Sequence, residues 1–267
     1  MTATVLQQLF GIEGKTAVVT DSGGNSSSDI APVLAAAGAR VVVADKDPAK
    51  LQAIVEQIAA AGGQAKAIAT DVESEAAVVS LFNQVAETWG GPDIVVNCAA
   101  MTNNGPLTEF TEAAWDEVMS VDLKSVFFCM REAIMHMLKD GKGGRIVNIT
   151  TMGAMHPVLI GNGAYGAARA GVTGLSRAAA LDYANNRILV NCVLPGAVPG
   201  KVRFHPDTAA RVQAGKLAGP GTDAERRRPL GWGSPRDIAA AVLYLVGPSG
   251  SYMTGQSIVL DGGFLIS

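Results

Sequence analysis

A tyrosine and an arginine, Tyr165 and Arg169, stand four residues apart in a stretch whose pattern predicts a helix. Residues at that spacing lie on the same face of a helix, about one turn apart. A phenol can release and take up a proton, and a nearby guanidinium favours the tyrosinate by its charge. The pair is therefore a candidate for proton transfer, and the alternative is that Tyr165 is a helical tyrosine that only packs.

A carboxylate, Asp45, directly follows the apolar run Arg40–Ala44 and comes roughly 20 residues after the Gly-containing stretch that follows the first strand. An acidic residue at this place can accept hydrogen bonds from both ribose hydroxyls of NAD, and it repels the 2′-phosphate of NADP. Asp45 thus predicts NAD(H) in preference to NADP(H).

The turn Thr20–Ser28 contains Gly23 and Gly24 but not the glycine spacing of a typical dinucleotide-binding turn. Such a turn presents backbone amides and the start of a helix to a pyrophosphate. The serines from Ser26 to Ser28 can donate hydroxyl hydrogen bonds to an anion, whereas Asp21 brings a negative charge towards it. The turn predicts nucleotide binding that is weaker than usual.

Short apolar runs rich in Val and Ile alternate with helical patterns along the chain, as expected for buried parallel strands joined by helices. This alternation predicts one α/β domain over residues 1–267, a doubly wound Rossmann-type fold with a seven-stranded parallel sheet flanked by helices. The predicted strands are Thr16–Thr20, Arg40–Ala44, Ala65–Ala69, Asp93–Asn97, Arg145–Ile149, Ile188–Val193 and Ser257–Leu260. The predicted helices include Asp47–Ala61, Ser74–Trp89, Thr111–Lys139 and Gly163–Tyr183.

Several short motifs occur in order at the ends of these elements and resemble those of the short-chain dehydrogenase/reductase family. The motifs are Asp71-Val72, Asn97-Cys-Ala-Ala100, Tyr165-Gly-Ala-Ala-Arg169, Pro195-Gly196, Pro229 to Ile238, Thr254-Gly-Gln256 and Leu260-Asp-Gly-Gly263. Each is weak alone, but together they cover nearly the whole chain. The resemblance implies an oxidoreductase that transfers a hydride between NAD(H) and a secondary alcohol or ketone.

The resemblance also implies roles for individual residues. Tyr165 would be the proton donor and acceptor, Thr151 would polarise the carbonyl with Thr150 as a competitor, and Asp122 would hold a water. Arg169 replaces the lysine that the family places beside the tyrosine, and a purely structural role stays open for Thr151 and Asp122. The implied cofactor contacts are Ser22, Asn25, Ser26, Ser27, Asp45, Asp71, Val72, Asn97, Ala99, Tyr165, Arg169, Pro195, Gly196 and Val198.

Departures from the family pattern leave two other functions open. The family's three turn glycines fall on Asp21, Asn25 and Ser27, although a divergent enoyl-reductase branch shares the Asn-x-Ser. Thr151, Tyr165 and Arg169 resemble the triad of the halohydrin dehalogenases, but the halide-site pattern of those enzymes is not matched. A catalytically silent relative that binds a ligand or an active partner subunit is the third possibility.

The composition of the chain excludes several classes of binding partner. The net charge is −3 and the pI about 5.6, so nucleic acid is not expected as a partner. No apolar run reaches the roughly 18 residues of a membrane span, and no metal-ligand spacing occurs among the three histidines. Three cysteines without such spacing, and a start that does not resemble a signal peptide, predict reduced thiols in a cytoplasmic protein.

The segment 198–232 mixes Pro, Gly and charge after the sixth predicted strand. Ligands of open α/β sheets bind beyond the carboxyl ends of the strands, so we interpret this segment as a lid over a small-molecule substrate. The alternative is a disordered surface excursion. Family members usually form tetramers, so the resemblance also implies a homo-oligomer.

Overall fold

Seven strands form one parallel sheet in the computed structural model of the protein, which describes residues 4–21, 27–199, 205–216, 218–222 and 227–267. The strands are β1 (Thr16–Thr20), β2 (Arg40–Asp45), β3 (Gln64–Ala69), β4 (Ile94–Asn97), β5 (Gly144–Ile149), β6 (Ile188–Pro195) and β7 (Ser257–Leu260). Their order in the sheet is β3-β2-β1-β4-β5-β6-β7, and every neighbouring pair is parallel. The predicted doubly wound fold is confirmed.

Helices cover both faces of this sheet. They are α1 (Val5–Phe10), α2 (Ile30–Ala36), α3 (Pro48–Ala60), α4 (Glu75–Trp89), α5 (Glu112–Met119), α6 (Ser125–Asp140), α7 (Gly163–Tyr183), α8 (Pro206–Gln213) and α9 (Pro235–Val246). One apolar core joins α2, α3 and α9 to the sheet, and a second joins α4, α6 and α7 to its other face. Alternate strand residues serve the two cores: Val19 belongs to the first and Val18 to the second, because successive side chains point to opposite faces.

Local capping explains where two of the predicted helices begin. The Asp47 side chain accepts hydrogen bonds from the amides of Ala49 and Lys50, and Pro48 occupies the first turn of α3. Ser74 caps α4 by accepting from the amide of Ala77. These side chains satisfy amides that have no partner inside the helix.

The helix predicted over Thr111–Lys139 is present and contains a change of helical type. Between α5 and α6 the segment Ser120–Lys124 forms a π-helical turn, which contains Asp122. The wider turn inserts an extra residue into the helical repeat, so the side chains before and after it change their relative direction. The predicted helical stretch is therefore confirmed, and its π-helical turn was not predicted.

All three cysteines, Cys98, Cys129 and Cys192, are buried and free of disulfides. Burial raises the pKa of the Cys129 thiol to about 12, so its reactive thiolate is disfavoured. Among the helices in the described part of the chain, none is both long and apolar enough to cross a membrane.

Candidate active site

The carboxyl ends of β1 and β4 mark the point where the strand order reverses, since the chain continues from β1 to β2 on one side and later returns to β4 on the other. Ligands of open α/β sheets bind at such a point. A cavity of about 190 Å³ lies there and is lined by residues that follow four strands. The lining residues are Asp21, Asp45, Lys46, Asp47, Lys50, Thr70, Val72, Glu73, Ala99 and Val121.

Asp45 ends β2 at the wall of this cavity and is almost fully buried. Its Oδ1 accepts a hydrogen bond from the Asp47 amide at 2.9 Å. Its Oδ2 is buried and has no hydrogen-bond partner among the described residues. Such an acceptor costs free energy unless a donor reaches it, so Asp45 is suited to a ligand hydroxyl.

Lys46, the next residue, is held by two carboxylates. Its Nζ lies 3.0 Å from Asp71 Oδ1 and 2.5 Å from Glu73 Oε1. Burial lowers the pKa of Lys46, but the hydrogen bonds and charges of Glu73 and Asp71 outweigh burial and leave the pKa raised. The ammonium is therefore already neutralised, and Asp71 contributes to the cavity by fixing Lys46, while Val72 supplies a buried apolar wall.

Asp21 begins the turn after β1 with φ of 48°, in the left-handed region that glycine adopts most easily. Asp21 lines the cavity, and its carboxylate acts electrostatically on Cys98 and Arg169. The hydroxyl of Ser27 donates to the Asp21 carbonyl oxygen at 3.1 Å, and Ser27 is buried, so this hydroxyl braces the turn. Ser22, Asn25 and Ser26 lie outside the described residues.

Asp122 and Arg169 form an ion pair, with Asp122 Oδ1 and Arg169 Nη2 2.7 Å apart and both side chains 0% exposed. The same carboxylate oxygen accepts from the Met101 amide at 3.0 Å. Arg169 also donates through Nη2 to the Ala99 carbonyl oxygen and through Nη1 to that of Ile149, at 3.5 Å. Burial lowers the pKa of Arg169, but Asp122 and Tyr165 outweigh it and leave the pKa raised.

Tyr165 is half-buried in the first turns of α7, with its ring centroid 5.4 Å from Arg169 Cζ. Burial raises the pKa of the phenol, Arg169 lowers it, and Asp122 raises it again, so that it lies above its usual value. The phenol thus faces a cation whose effect a carboxylate partly opposes. The geometry adds Asp122 to the pair of Tyr165 and Arg169 that the sequence predicted.

The two threonines after β5 have different surroundings. Thr150 is buried and its hydroxyl points at the Val193 carbonyl oxygen, 3.5 Å away. Thr151 is half-buried, and its Oγ1 accepts from the Gly153 amide at 3.1 Å. An accepting hydroxyl keeps its proton available as a donor, so Thr151 is the better placed of the two to polarise a ligand oxygen.

A polar cluster that the sequence did not predict joins the loop after β4 to α8. The backbone amide of Asn104 donates to Thr208 Oγ1 at 2.7 Å, and the Thr208 hydroxyl in turn donates to Asn103 Oδ1 at 3.3 Å. Asn104 Nδ2 also donates to Asn162 Oδ1, three residues before Tyr165. These contacts attach α8, which is part of the predicted lid, to the edge of the site. Two adjacent asparagines after a strand were the only sequence signal.

Comparison with known proteins agrees with this geometry. A family model described as enoyl-(acyl carrier protein) reductase matches residues 27–265. The (2S)-[(R)-hydroxy(phenyl)methyl]succinyl-CoA dehydrogenase subunit BbsD of Thauera aromatica is 33% identical over 95% of this chain and 98% of its own length. A dehydrogenase/reductase crystal structure from Sinorhizobium meliloti superposes with a TM-score of 0.84 at 34% identity, covering 97% of this chain and 98% of that one.

This chain belongs to the short-chain dehydrogenase/reductase family. It is an oxidoreductase of that type, and the family uses nicotinamide cofactors. The chain is also similar to a blue fluorescent protein from a metagenomic library, whose crystal structure is a complex with NADPH. The TM-score is 0.83 at 29% identity, and the match covers 95% of this chain and 99% of that one.

Several family motifs have structural explanations in this protein. Asn97 donates from Nδ2 to Asn148 Oδ1 at 2.8 Å, and Asn148 donates to Ser176 on α7, so Asn97 belongs to a buried network that joins β4, β5 and α7. Its Oδ1 is buried and has no partner among the described residues. A cofactor contact by Asn97 stays a prediction.

The Pro-Gly motif at the end of β6 lets the backbone at Gly196 pass close to the backbone of Asp261. A β-carbon on Gly196 would lie 2.7 Å from Asp261 Cα, which only glycine avoids. Pro195 is buried at the end of β6, and Val198 is partly buried against the first core. Contacts from these three residues to a cofactor stay predictions.

The C-terminal family motifs likewise serve as caps. Ser234 and Asp237 form a capping box at the start of α9. The Asp261 carboxylate accepts from the amides of Gly263 and Leu265. Thr254 accepts from the Val190 amide and so ties the last segment to β6. Several residues of the family motifs therefore stabilise helix starts, turns and the attachment of the last segment to β6.

Proposed function

We propose that this protein is an NAD(H)-dependent oxidoreductase that interconverts a secondary alcohol and a ketone, with Tyr165 as the proton donor and acceptor. The observation that carries the proposal is the half-buried Tyr165 phenol over the buried guanidinium of Arg169. A cation beside a phenol favours tyrosinate, which is the form that accepts a proton from an alcohol. The nicotinamide, when bound, supplies the hydride acceptor or donor.

The cavity at the switch point fits the adenosine end of NAD(H). Asp45 Oδ2 offers a buried acceptor to a ribose hydroxyl, and Val72 and Ala99 offer apolar walls. A 2′-phosphate would meet the carboxylates of Asp45, Asp47 and Glu73. These outnumber the two lysines of the cavity, Lys46 and Lys50, and Lys46 is already bound to two carboxylates. This charge distribution favours NAD(H) over NADP(H). Asp21 opposes the diphosphate of either, so we expect modest affinity.

On the chemical side, Thr151 would polarise the carbonyl oxygen that Tyr165 protonates. The name of one related dehydrogenase gives its substrate a hydroxy(phenyl)methyl group. The hydroxyl of this group is a secondary alcohol. That name supports the same substrate class here. Within the segment 198–232, α8 would close over the substrate, since it is attached through Thr208 to the loop after β4. Residues 200–204, 217 and 223–226 of this segment lie outside the described residues.

The first experiment is a titration of the purified protein with NADH, followed by nicotinamide fluorescence. Saturation in the micromolar to low-millimolar range supports the cofactor assignment, and a screen of secondary alcohols and ketones then identifies turnover. The Tyr165→Phe variant should lose about 10²- to 10⁴-fold in kcat/KM while NADH still binds. Tyr183→Phe, on the same helix, is the matched control and should retain activity.

Three outcomes would contradict the proposal. No NADH binding up to millimolar concentration would remove the cofactor. Halide release from vicinal halohydrins without nucleotide would favour a dehalogenase on this scaffold. NADH binding with turnover that persists in Tyr165→Phe would remove the assigned role of Tyr165.

We also propose that the protein is a cytoplasmic homo-oligomer. Large apolar side chains are exposed on α6 and α7, among them Phe127, Met135 and Leu181. A second copy packed along these helices would cover them. Light scattering should give the mass of a tetramer, and a monomer mass would contradict the assembly.

A further inference from the structure

The sequence contains two Asn-Gly dipeptides, Asn104-Gly105 and Asn162-Gly163, and the fold brings them together. Asn104 Nδ2 donates to Asn162 Oδ1 at 3.2 Å. The amide of Gly105 donates to the carbonyl oxygen of Gly161 at 2.8 Å, so the backbones of the two loops are joined as well. One loop follows β4, and the other leads into α7.

An Asn-Gly dipeptide is chemically labile in water. The amide nitrogen of the glycine can attack Cγ of the asparagine, because glycine carries no side chain that obstructs the approach. As the new N–Cγ bond closes a succinimide ring, the Cγ–Nδ2 bond breaks, and the glycine amide proton leaves with the side-chain nitrogen as ammonia. Water then opens the ring and gives aspartate or isoaspartate, so the reaction needs no other co-reactant.

The folded structure protects Asn104 from this reaction. Asn104 is only 2% exposed, and both its Nδ2, which would leave, and the Gly105 amide, which would attack, donate hydrogen bonds. Thr208 on α8 is fully buried, and its hydroxyl accepts from the Asn104 backbone amide at 2.7 Å. Attack on Cγ therefore requires that the contact between α8 and the loop after β4 opens locally.

The same contact leaves one polar atom of Asn104 unsatisfied. Its Oδ1 is buried and has no hydrogen-bond partner among the described residues. When α8 moves away, water can donate to this oxygen, which offsets part of the loss of the Thr208 hydrogen bond. Opening of α8 is thus favoured at the side chain that is labile.

We propose that Asn104-Gly105 is a site of spontaneous deamidation, that α8 protects it while it is in place, and that the reaction detaches α8 once it has occurred. The inference goes beyond the proposed function and does not depend on it, because neither cofactor nor substrate takes part.

Deamidation replaces a hydrogen-bond donor at position 104 by an acceptor. The carboxylate oxygen that takes the place of Nδ2 would face Asn162 Oδ1, and a buried carboxylate without donors is unfavourable. Isoaspartate also adds a methylene group to the main chain before Gly105, where a β-carbon on Gly161 would already lie 3.0 Å from the Gly105 nitrogen. Both products therefore favour displacement of α8.

The first test measures deamidation in the absence of ligands. Wild type, Thr208→Val and Thr208→Ser are incubated at mildly alkaline pH, and peptide mass spectrometry follows the replacement of the Asn104 amide by a carboxyl group. Digestion in heavy-oxygen water marks any reaction that occurs during digestion. Gly105→Ala in the Thr208→Val background is the chemical control, since its methyl group obstructs the nucleophile and lies in ordinary contact with Phe110, at 3.4 Å.

We expect Asn104 to deamidate at least about tenfold faster in Thr208→Val than in the wild type, because the rate follows the population of the open state. Thr208→Ser should match the wild type, and the Gly105→Ala control should be slower than its parent. Asn162 should accelerate much less, since it is already partly exposed. Equal Asn104 rates in the Val and Ser variants would overturn the protection by α8, as would a folded wild type that reacts as fast as the protein unfolded in urea.

The second test uses Asn104→Asp as the product and Asn162→Asp as its matched control. A carboxylate at position 162 still accepts from Asn104 Nδ2 and suits the start of α7. Limited proteolysis within residues 205–216 should become at least about tenfold faster for Asn104→Asp, while the midpoint of urea unfolding shifts much less. Asn162→Asp should resemble the wild type.

Cleavage of Asn104→Asp at the wild-type rate would overturn the detachment of α8, as would equal acceleration by the two Asp substitutions. If Asn104→Asp does not fold, wild-type protein that has deamidated at Asn104, separated from unreacted protein by ion exchange, takes its place in the same comparison.

Discussion

The backbone amide of Asp21 donates to the carbonyl oxygen of Ala44 at 2.7 Å, which joins the first residue of the turn after β1 to the end of β2. Asp45 follows Ala44 directly, so the two acidic walls of the cavity are linked through one hydrogen bond. The Asp45 carboxylate can accept a hydrogen bond from a nucleotide ribose, whereas the Asp21 carboxylate would repel the diphosphate.

Replacement of Asp21 by Gly should strengthen NADH binding about 5- to 10-fold, because it removes a charge and restores a residue that adopts φ of 48° without strain. Fluorescence titration at low and high salt measures the effect, and Asp21→Asn separates the two causes. The Asn variant should gain only the charge component, which salt weakens. Unchanged or weaker binding by the Gly variant would show that Asp21 does not limit affinity.

Asp45→Ala should raise the Kd for NADH about tenfold, since the ribose hydroxyls lose a charged acceptor. The Kd for NADPH should fall relative to that for NADH, because the charge facing a 2′-phosphate is gone. Asp47→Asn is the matched control: it removes a second cavity charge, and its side-chain oxygen can still cap α3. If the two changes altered the Kd for NADH equally, Asp45 would act only through the negative charge of the cavity and not as a hydrogen-bond acceptor.

The strands were well predicted from the sequence, because an apolar run acts within a few residues. Thr16–Thr20 and Ser257–Leu260 have the predicted limits, and Gly163–Tyr183 is the predicted helix. The π-helical turn at Asp122 was not predictable, since one extra residue barely changes the apolar pattern of a long helix. Its consequence, the pairing of Asp122 with Arg169, joins residues far apart in sequence.

The family motifs also contain residues that the packing of the fold itself requires. Gly196 and Asp261 lie in sequence motifs of the family, but the structure accounts for both by close backbone packing and turn hydrogen bonds. A motif records that a residue type is required, and it does not distinguish a ligand contact from a packing constraint. A cofactor contact by Gly196 therefore stays a prediction beside the packing constraint that the structure shows.

Gly196→Ala tests this reading. The added methyl group meets the backbone of Asp261, so the free energy of unfolding should fall by about 2 kcal/mol. Gly174→Ala, in the middle of α7 with no atom within 4 Å of the added carbon, should instead raise it by about 0.5–1 kcal/mol. Urea denaturation measures both. If Gly196→Ala keeps its stability but loses NADH affinity, the motif serves the cofactor directly.

Thr208 should control how firmly the proposed lid is attached. Its hydroxyl accepts from the Asn104 amide and donates to Asn103, and all three side chains are buried. Thr208→Val keeps the shape but leaves that amide without an acceptor, which costs about 1–3 kcal/mol of local stability. Limited proteolysis within residues 205–216 should become at least about tenfold faster, and Thr208→Ser, which retains the hydroxyl, should resemble the wild type.

The same pair of variants then separates attachment from global stability. Because the cleavage rate follows local opening, it should change while the midpoint of global unfolding shifts much less. Once a substrate is known, Thr208→Val should raise its KM more than it lowers kcat, since a loosely attached lid weakens binding before it disturbs Tyr165. Equal cleavage rates for the Val and Ser variants would show that α8 is held by contacts other than this hydroxyl.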